Sequence, residues 1–473
     1  MNAILKRSAA LLMSISVASG VFAGCGEKAD VSKETSGTAA VSETSATAET
    51  EESLETAETS TAETEAKMVN GFKSLDVTTP QDEEGAGPNV LIYSFNNEFP
   101  SLVDKYSDVD VKAEVFKDSN EYKEKLKKAL ESDNGPDIFV CDADYAGEFL
   151  DSDLTLPVNE LGIDYNELND MYNYTLRFAC DGDKVIKGLA WQACPSGVIY
   201  NRELMQQYFG VSEPDDVAPY FESWDKFLET ARKINSDSEG KVKAVSGTDD
   251  IWRAYLNTRS SGWIENGKLN VDPVMRDYFE FGKTLHDEGL TFGTKQFDSS
   301  WKMNAENGLC LSYFGPMWLG RVNLGLSDDK SPANGKWGMV KGPSSSYWGG
   351  SWIMVNKKSK LKGKCAQIVR DLTLNDENLR AIADSGDFVN SVTIMTDKSD
   401  DETYAVKWLG GQNPAGLLLE VASGINYSTV GRNDLVINDA FRLASQAYFD
   451  GKYASVDEAL EAFRIHLEEI SAI

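Results

Sequence analysis

The 473-residue chain contains few histidines and cysteines. Its two histidines, His286 and His466, lie outside any HExxH pattern, and GxSxG, P-loop and GxGxxG motifs are missing as well. The six cysteines show no CxxC spacing, which disfavours both a metal centre and a disulfide framework. The sequence therefore predicts no catalytic residue, no cofactor and no metal ligand. A single disulfide between Cys180 and Cys194 stays open as an alternative.

Positive charge is also scarce, with 46 Lys and Arg against 76 Asp and Glu and a formal net charge of −30. Such a surplus of negative charge disfavours nucleic acid and anionic membrane surfaces as partners, because both would repel the protein. No apolar run reaches the roughly 20 residues that a membrane-spanning helix requires. We interpret the charge as a source of solubility in an exposed location.

The N-terminus has the pattern of an export signal. Lys6 and Arg7 precede an apolar segment, and small residues follow that segment up to Cys25. A basic head and an apolar stretch of about 7–15 residues are typical of a secretory signal, so we assign residues 1–24 to a signal peptide. Its end resembles a bacterial lipobox, with Phe22 where leucine is usual. This resemblance implies a lipid such as palmitate on Cys25. A plain signal peptide with an incidental cysteine is the alternative.

Residues 25–70 consist mainly of Ser, Thr, Ala and Glu and contain no aromatic residue. Too little apolar surface is available here to offset the conformational entropy lost on ordering, so we predict a disordered acidic tether. A lipidated Cys25 and this tether would hold the protein at the extracellular face of the cytoplasmic membrane. The rest of the chain, from about Pro88 to Ile473, is long enough for two ordinary domains.

The start of this folded part alternates strands and helices. Apolar runs predict three strands, which are Asn89–Phe95, Val109–Phe116 and Asp137–Cys141. Two helices are predicted between them: one opens at the Pro-containing segment 96–100, and the other is the periodic segment Asn120–Ser132. This order favours a doubly wound parallel sheet, in which ligands bind beyond the carboxyl ends of the strands. We therefore expect six side chains at one sheet edge: Asn96, Asn97, Glu98, Asp142, Asp144 and Tyr145.

The segment Ser346–Val355 places three large aromatic rings around two glycines, directly before an apolar run. The rings belong to Tyr347, Trp348 and Trp352. Glycine permits positive φ angles and a close approach of a bound molecule, and the apolar run predicts a strand. Aromatic rings at the start of a strand indicate a binding surface. Ordinary core packing beside a turn is the alternative.

Four segments together resemble extracellular solute-binding proteins of the sugar-binding type that serve ABC importers. These segments are Gly188–Leu204, Ser223–Ala231, Tyr313–Trp318 and Gly349–Asn378. The resemblance implies an α/β, periplasmic-binding-protein-like fold of two lobes, each a mostly parallel sheet flanked by helices, with the ligand cleft between them. It further implies an N-terminal lobe of residues 86–195 plus 355–392 and a C-terminal lobe of 196–354 plus 393–473. Strands near Pro195, Val355 and Val392 would join the lobes, which would close on ligand by hinge bending.

A sugar site needs flat aromatic platforms for the apolar faces of the rings and polar partners for the hydroxyl groups. Seven aromatic residues are candidate platforms: Trp191, Trp252, Tyr313, Trp318, Tyr347, Trp348 and Trp352. Seven further residues are candidate polar contacts: Asn96, Glu98, Asp142, Asp144, Gln192, Arg253 and Asn390.

The sequence thus predicts a monomeric, membrane-anchored lipoprotein that captures a mono- or oligosaccharide and delivers it to the permease subunits of an ABC transporter. Two alternatives stay open. One is a secreted glycan-active enzyme, because the abundant carboxylates are compatible with a glycosidase pair. The other is a sugar sensor or adhesin on the same fold, without a role in transport.

Overall fold

The computed structural model describes residues 68–143, 145–431 and 434–470. The predicted signal peptide, Cys25, nearly all of the tether and Asp144 lie outside these residues. The described residues belong to one compact unit. The predicted tether limit at residue 70 needs a correction, because Met68–Val69 pair with Phe72–Lys73 in a short hairpin. Its turn, Asn70-Gly71, has positive φ at both residues, as such two-residue turns require.

Strands are concentrated in the first three quarters of the chain. Within the described residues they are β1 Met68–Val69, β2 Phe72–Lys73, β3 Val90–Ser94, β4 Val111–Val115, β5 Ile138–Asp142, β6 Leu189–Ala190, β7 Pro195–Asn201, β8 Ile264–Glu265, β9 Lys268–Leu269, β10 Ser312–Gly315, β11 Trp337–Val340, β12 Ser346–Tyr347 and β13 Ser351–Val355.

Helices lie between and after these strands. The α-helices are α1 Glu98–Tyr106, α2 Ser119–Glu131, α3 Ala146–Leu150, α4 Asn173–Phe178, α5 Arg202–Phe209, α6 Pro214–Val217, α7 Trp224–Asp237, α8 Asp249–Leu256, α9 Pro273–Asp287, α10 Ser299–Glu306, α11 Lys362–Thr373, α12 Asp376–Asp384, α13 Val392–Asp400, α14 Ala415–Ser423, α15 Asp434–Phe449 and α16 Val456–Glu469. Single turns of other helix types occupy Val158–Leu161, Tyr165–Leu168, Ala218–Tyr220, Leu319–Asn323 and Lys407–Leu409. Of the helices in the described part of the chain, none combines the length and apolar character needed to cross a membrane.

The first sheet has five strands in the order β4-β3-β5-β13-β6. Strand β3 runs parallel to both β4 and β5, as the alternation of strands and helices predicts. Strand β13 enters antiparallel between β5 and β6, and all five of its residues are buried. The α/β class expected from the sequence is therefore confirmed, and the three early strands lie within two residues of their predicted limits.

The second sheet corrects one expectation. It contains β10, β7 and β11 in that order, β12 also pairs with β7, and every one of these pairs is antiparallel. A mostly parallel sheet was expected in both lobes. The buried strand β7 has the apolar pattern that suits either direction, and periodicity does not distinguish the two. Parallel pairing between the described residues near this sheet occurs as isolated bridges, such as Lys243 with Cys310.

Two hydrophobic cores follow from the two sheets. One core surrounds the first sheet and extends to Trp337 and Trp408, and the other is built by helices α5, α7, α8, α9, α15 and α16. The side chain of Ser223 accepts a hydrogen bond from the Lys226 amide at 3.2 Å, so the predicted N-cap of α7 is confirmed. A strand expected around Val392 is absent, because Ser391 caps a helix there.

Candidate ligand cleft

A cleft of about 960 Å³ opens between elements of the two cores. Its aromatic lining comes from distant parts of the chain and comprises Tyr145, Phe178, Trp252, Phe297, Tyr347 and Trp348. Its basic lining comprises Lys123, Arg177, Arg253, Arg259, Lys295 and Arg442, and its amide lining comprises Asn257, Gln296 and Asn438. Carboxylates are present too: Glu148, Asp151, Asp181, Asp249, Asp298, Asp434 and Asp439. The cleft thus combines flat apolar surface with many hydrogen-bonding groups.

Trp348 lies at the centre of a group of rings that also includes Trp318 and Phe297, and we call this group the aromatic wall. Trp318 meets its ring edge-on at a centroid separation of 5.0 Å, and the Trp318 indole N–H donates to the Trp348 carbonyl at 3.3 Å. The guanidinium carbon of Arg253 lies 4.1 Å from the Trp348 ring centroid, which is the geometry of a cation–π contact. Phe297 packs against the same indole at 5.8 Å. Trp348 is therefore held rigidly between residues of separate segments.

The structure explains why glycine occupies both positions after Trp348. Gly349 and Gly350 have φ angles of +75° and +112°, which disfavour side chains. A Cβ atom at Gly349 would lie 3.2 Å from the Trp318 ring, closer than ordinary packing. The pair therefore lets Trp318 approach the backbone and redirects the chain from β12 into β13.

Tyr347 points to a different group of rings from Trp348. Its ring lies 4.8 Å from that of Phe178 and 6.1 Å from that of Tyr174, and both of these residues belong to α4. Side chains alternate between faces along extended backbone, which explains why Tyr347 and Trp348 have separate neighbours. The segment Ser346–Val355 therefore supplies two aromatic residues to two places along the cleft.

Helix α8 contributes Trp252 and Arg253. Trp252 stacks on Phe441 of α15 at 5.9 Å, so its ring is fixed by the second core. Arg253 donates from Nη1 to Oε1 of Gln296 at 3.1 Å, and Gln296 in turn donates from Nε2 to the Asp249 carbonyl at 3.0 Å. These bonds tie the segment 295–298 to α8.

Three buried polar atoms that belong to cleft-lining residues lack a hydrogen-bond partner within the described part of the chain. They are the Tyr145 hydroxyl, Nε of Arg177 and Nη1 of Arg259. Arg259 is 3% exposed, and its other amino nitrogen contacts Asp434 at 3.1 Å. Burial raises the pKa of the Asp434 carboxyl despite this guanidinium. Burial also raises the pKa of the Tyr145 phenol well above its ordinary value, so its hydroxyl stays neutral. Unpartnered buried groups of this kind favour binding of a polar ligand.

Several predicted contact residues are instead core residues. Trp191 stacks on Phe99 at 5.9 Å, the Tyr313 hydroxyl donates to the Trp301 carbonyl at 3.0 Å, and the Trp352 indole N–H donates to the Thr175 carbonyl at 3.0 Å. These three rings are at most 2% exposed and lie outside the cleft lining, so the fold does not bring them together with Trp348.

The polar residues Gln192 and Asn390 are likewise buried beside the first sheet. Gln192 forms an isolated bridge with Val389, and the Asn390 amide donates to the Ala190 carbonyl at 3.0 Å and to the Thr175 hydroxyl at 3.0 Å. Asn390 thereby joins the sheet to the segment before α13. Both residues lie outside the cleft lining.

The predicted edge residues Asn96 and Glu98 belong to a separate polar cluster. Asn96 accepts from the Glu98 amide at 2.9 Å and so begins α1. The Glu98 and Asp387 carboxylates both contact Nη2 of Arg321, each at 3.3 Å. Burial is the main reason why the pKa of Glu98 is raised to about 7, and the nearby Asp387 charge is the second. Because Arg321 follows β10, this cluster links the two sheets.

Asp142 ends β5 opposite Ser351, one residue beyond the predicted strand limit of Cys141, and lies outside the cleft lining. Tyr145, Trp252, Arg253, Tyr347 and Trp348 are the predicted residues that line the cleft, and Trp318 supports them from behind. Sequence reasoning missed Arg177, Phe178, Gln296 and Phe297. Gln296 and Phe297 lie in a short polar segment without a motif, so only the fold reveals their proximity to Trp348.

One described cysteine, Cys180, lines the cleft. Cys141, Cys180, Cys194, Cys310 and Cys365 are free thiols, so Cys180 and Cys194 are not paired. The same residues contain no group of three side chains suited to a metal ion.

Comparison with solved structures identifies the fold. A binding protein associated with an ABC transporter of B. animalis subsp. lactis Bl-04, in complex with beta-1,6-galactobiose, has a TM-score of 0.65 and 17% identity over 81% of this chain and 97% of that one. The galacto-N-biose-/lacto-N-biose I-binding protein of Bifidobacterium longum, in complex with lacto-N-biose, has a TM-score of 0.64 and 16% identity over 82% and 98%.

A solute-binding protein of an ABC transporter from Thermotoga Lettingae TMO, bound to alpha-D-tagatose, has a TM-score of 0.62 and 15% identity over 81% of this chain and 100% of that one. These likenesses confirm the expected two-lobed α/β fold. Among curated proteins, none matches this chain in sequence.

A family model described as bacterial extracellular solute-binding protein matches residues 93–369, which is more than half of the chain. The matched range includes β3 through α11 and therefore most of the first sheet, the whole second sheet and the aromatic wall. The chain belongs to the bacterial extracellular solute-binding protein family.

Proposed function

We propose that this protein binds a carbohydrate in the cleft and delivers it to the permease of an ABC transporter. The observation that carries the proposal is the combination, in one cleft, of the Tyr347, Trp348 and Phe297 rings with Arg253 and unpartnered buried polar atoms. Aromatic faces suit the C–H faces of sugar rings, and the polar groups suit hydroxyls. The similar structures support this choice, because each of the three is a transporter-associated protein in complex with a sugar.

Binding without turnover fits the cleft better than hydrolysis. A glycosidase needs two carboxyl groups set for acid and base roles. Two cleft carboxylates already have cationic partners, since Asp434 contacts Arg259 at 3.1 Å and Asp249 contacts Arg442 at 3.5 Å. We therefore expect chromatography to recover a bound oligosaccharide intact. Recovery of cleaved sugar would favour the enzyme alternative.

A thermal-shift screen of mono- and oligosaccharides tests the proposal. A ligand at 100 times its dissociation constant should stabilise the fold by about 2.7 kcal/mol, which raises the melting temperature by a few degrees. The panel includes β-1,6-galactobiose, lacto-N-biose and D-tagatose, with amino acids and short peptides as the matched negative set. A shift with peptides and none with any sugar would overturn the carbohydrate assignment.

We also propose that a lipid on Cys25 anchors the protein to the extracellular face of the cytoplasmic membrane, and that the protein is a monomer. The lipobox-like ending and the Ser/Thr/Ala/Glu segment behind it support the anchor. Changing Cys25→Ser should move the protein from the membrane fraction to the medium. A Cys25→Ser variant that stays membrane-bound with an unchanged N-terminus would contradict the anchor. Light scattering of the released protein measures its molar mass and so tests whether it is a monomer.

The proposed lobe limits need one adjustment. We assign all of β13 to the N-terminal lobe, together with residues 86–195 and 356–392, because Ser351–Val355 pairs along its length with β5 of the first sheet. Residues 196–350 and 393–473 then form the C-terminal lobe. Small-angle scattering should show a smaller radius of gyration when ligand is added, if these lobes close around it.

A further inference from the structure

Phe297 differs from the other aromatic residues of the cleft in its exposure. Its side chain is 56% exposed, whereas Trp348 is 5% exposed and Trp252 is 4% exposed. All three residues line the same cleft. Phe178 and Tyr347 also line the cleft and are half-buried, so Phe297 is the most exposed of its aromatic residues.

The backbone of Phe297 is held in an unusual conformation. Its φ angle is +70°, a value that bulky residues other than glycine rarely adopt. The neighbouring Gln296 fixes the segment through its contacts with Arg253 and the Asp249 carbonyl, at 3.1 and 3.0 Å. Unfavourable conformations of this kind persist where surrounding contacts impose them, and they concentrate at ligand sites. The conformation directs a large apolar ring to the cleft.

Trp348 has little surface left for a ligand. The Arg253 guanidinium covers its ring at 4.1 Å, and the Trp318 edge approaches it at 5.0 Å. Phe297 completes this group, with ring centroids 5.8 Å from Trp348 and 5.6 Å from Trp301. Two buried indoles thus contact the Phe297 ring, and its exposed part is available for stacking.

We propose that Phe297 is the principal stacking platform for the ligand, and that Trp348 supports it instead of stacking on the ligand directly. This inference rests on the proposed carbohydrate-binding function. It implies that the sugar unit at this position presents a continuous C–H face, because phenylalanine offers no hydrogen-bonding group. The polar contacts to that unit then come from neighbouring residues such as Arg253 and Gln296.

Calorimetric titration of four variants tests this assignment, with the tightest sugar from the screening panel as the probe. Phe297→Ala should bind about 5- to 150-fold more weakly, using base stacking on aromatic rings as the analogue. Phe297→Tyr keeps the ring and should bind within about threefold of the parent protein. Met303→Ala is the matched control, because Met303 is 53% exposed on the adjacent helix α10 and lies outside the cleft lining; its affinity should not change.

Phe297→Asn separates loss of the ring from rearrangement of the segment. Asparagine tolerates positive φ better than most residues, so this variant keeps the backbone and should bind as weakly as Phe297→Ala. Parent-like binding by both Phe297→Ala and Phe297→Asn would overturn the assignment while leaving sugar binding intact. If the parent protein binds no sugar of the panel, the proposed function itself fails, and the assignment fails with it.

Discussion

Trp348 and Trp352 are only four residues apart, yet they belong to different regions of the molecule. Trp348 lines the cleft with Arg253 over its ring, whereas Trp352 is buried in the first core and donates its indole hydrogen bond to the Thr175 carbonyl. The two left-handed glycines between them separate the regions, because the sheet begins at Ser351. Aromatic residues close together in a sequence therefore need not have the same role. Here the start of β13 determines which ring lines the cleft and which ring packs in the core.

The largest expected effect is a loss of stability in Trp352→Ala. Removal of this ring leaves a cavity in the first core and an unpartnered Thr175 carbonyl, so the free energy of unfolding should fall by about 3–5 kcal/mol. Denaturant unfolding of the ligand-free protein measures the loss. Sugar affinity of the remaining folded protein should be close to that of the parent. If Trp352→Ala were as stable as the parent but had lost sugar affinity, Trp352 would be a cleft residue like Trp348, which would contradict this comparison.

An intermediate effect is expected for Trp348→Ala, and it should appear mainly in binding. Loss of the indole leaves Arg253 and Phe297 without their support, so we expect sugar affinity to fall by about 1–3 kcal/mol, or 5- to 150-fold. Calorimetric titration measures the change, with Trp348→Phe as the control that keeps an aromatic ring. Parent-like affinity with a much lower melting temperature would show that Trp348 belongs with Trp352 as a core residue.

The smallest effect concerns the Glu98–Arg321–Asp387 cluster, which links the two sheets through charge instead of aromatic contact. The pKa of Glu98 is raised from its ordinary value of 4.5 to about 7. Between these values the folded protein binds more protons than the unfolded chain, so the free energy of unfolding should fall as pH rises through this window. The full shift corresponds to about 3 kcal/mol, and partial exposure of the carboxylate reduces the expected change to roughly 1–2 kcal/mol.

Unfolding of the parent and of Glu98→Gln, measured between pH 4.5 and 8, tests this pH dependence. Glutamine does not titrate, so the variant should show a flatter profile over the window, while Asp387 still contacts Arg321. Glu121→Gln is a suitable control, because Glu121 forms an exposed pair with Lys125 on α2. Equal pH profiles for the parent and Glu98→Gln would show that this cluster does not control stability.

Much of the fold could be predicted because local patterns determined it. The apolar runs of β3 and β5, the cap at Ser223 and the glycine pair before β13 each act within a few residues. Strand direction in the second sheet was not predictable, since β7 is buried on both faces and its periodicity suits either pairing.

The cleft was predicted less completely for a related reason. Tyr347 and Trp348 were found from their glycine-flanked segment, but Phe178 and Phe297 reach them from positions far away in the chain. Conversely, Trp191 and Tyr313 lie in segments that resemble the family, and tertiary packing places them in the core. Local sequence indicates which residues can bind a sugar ring, and long-range packing selects those that meet the cleft.

The most direct test of carbohydrate binding in the aromatic cleft is a crystal structure with the tightest sugar from the thermal-shift screen. We predict that the sugar lies in the cleft, with one ring within about 4–4.5 Å of Phe297 and its hydroxyl groups hydrogen-bonded to polar cleft residues such as Arg253 or Tyr145. Sugar density elsewhere, for example beside the Glu98–Arg321–Asp387 cluster or on an outer surface, would contradict the proposed location of the site.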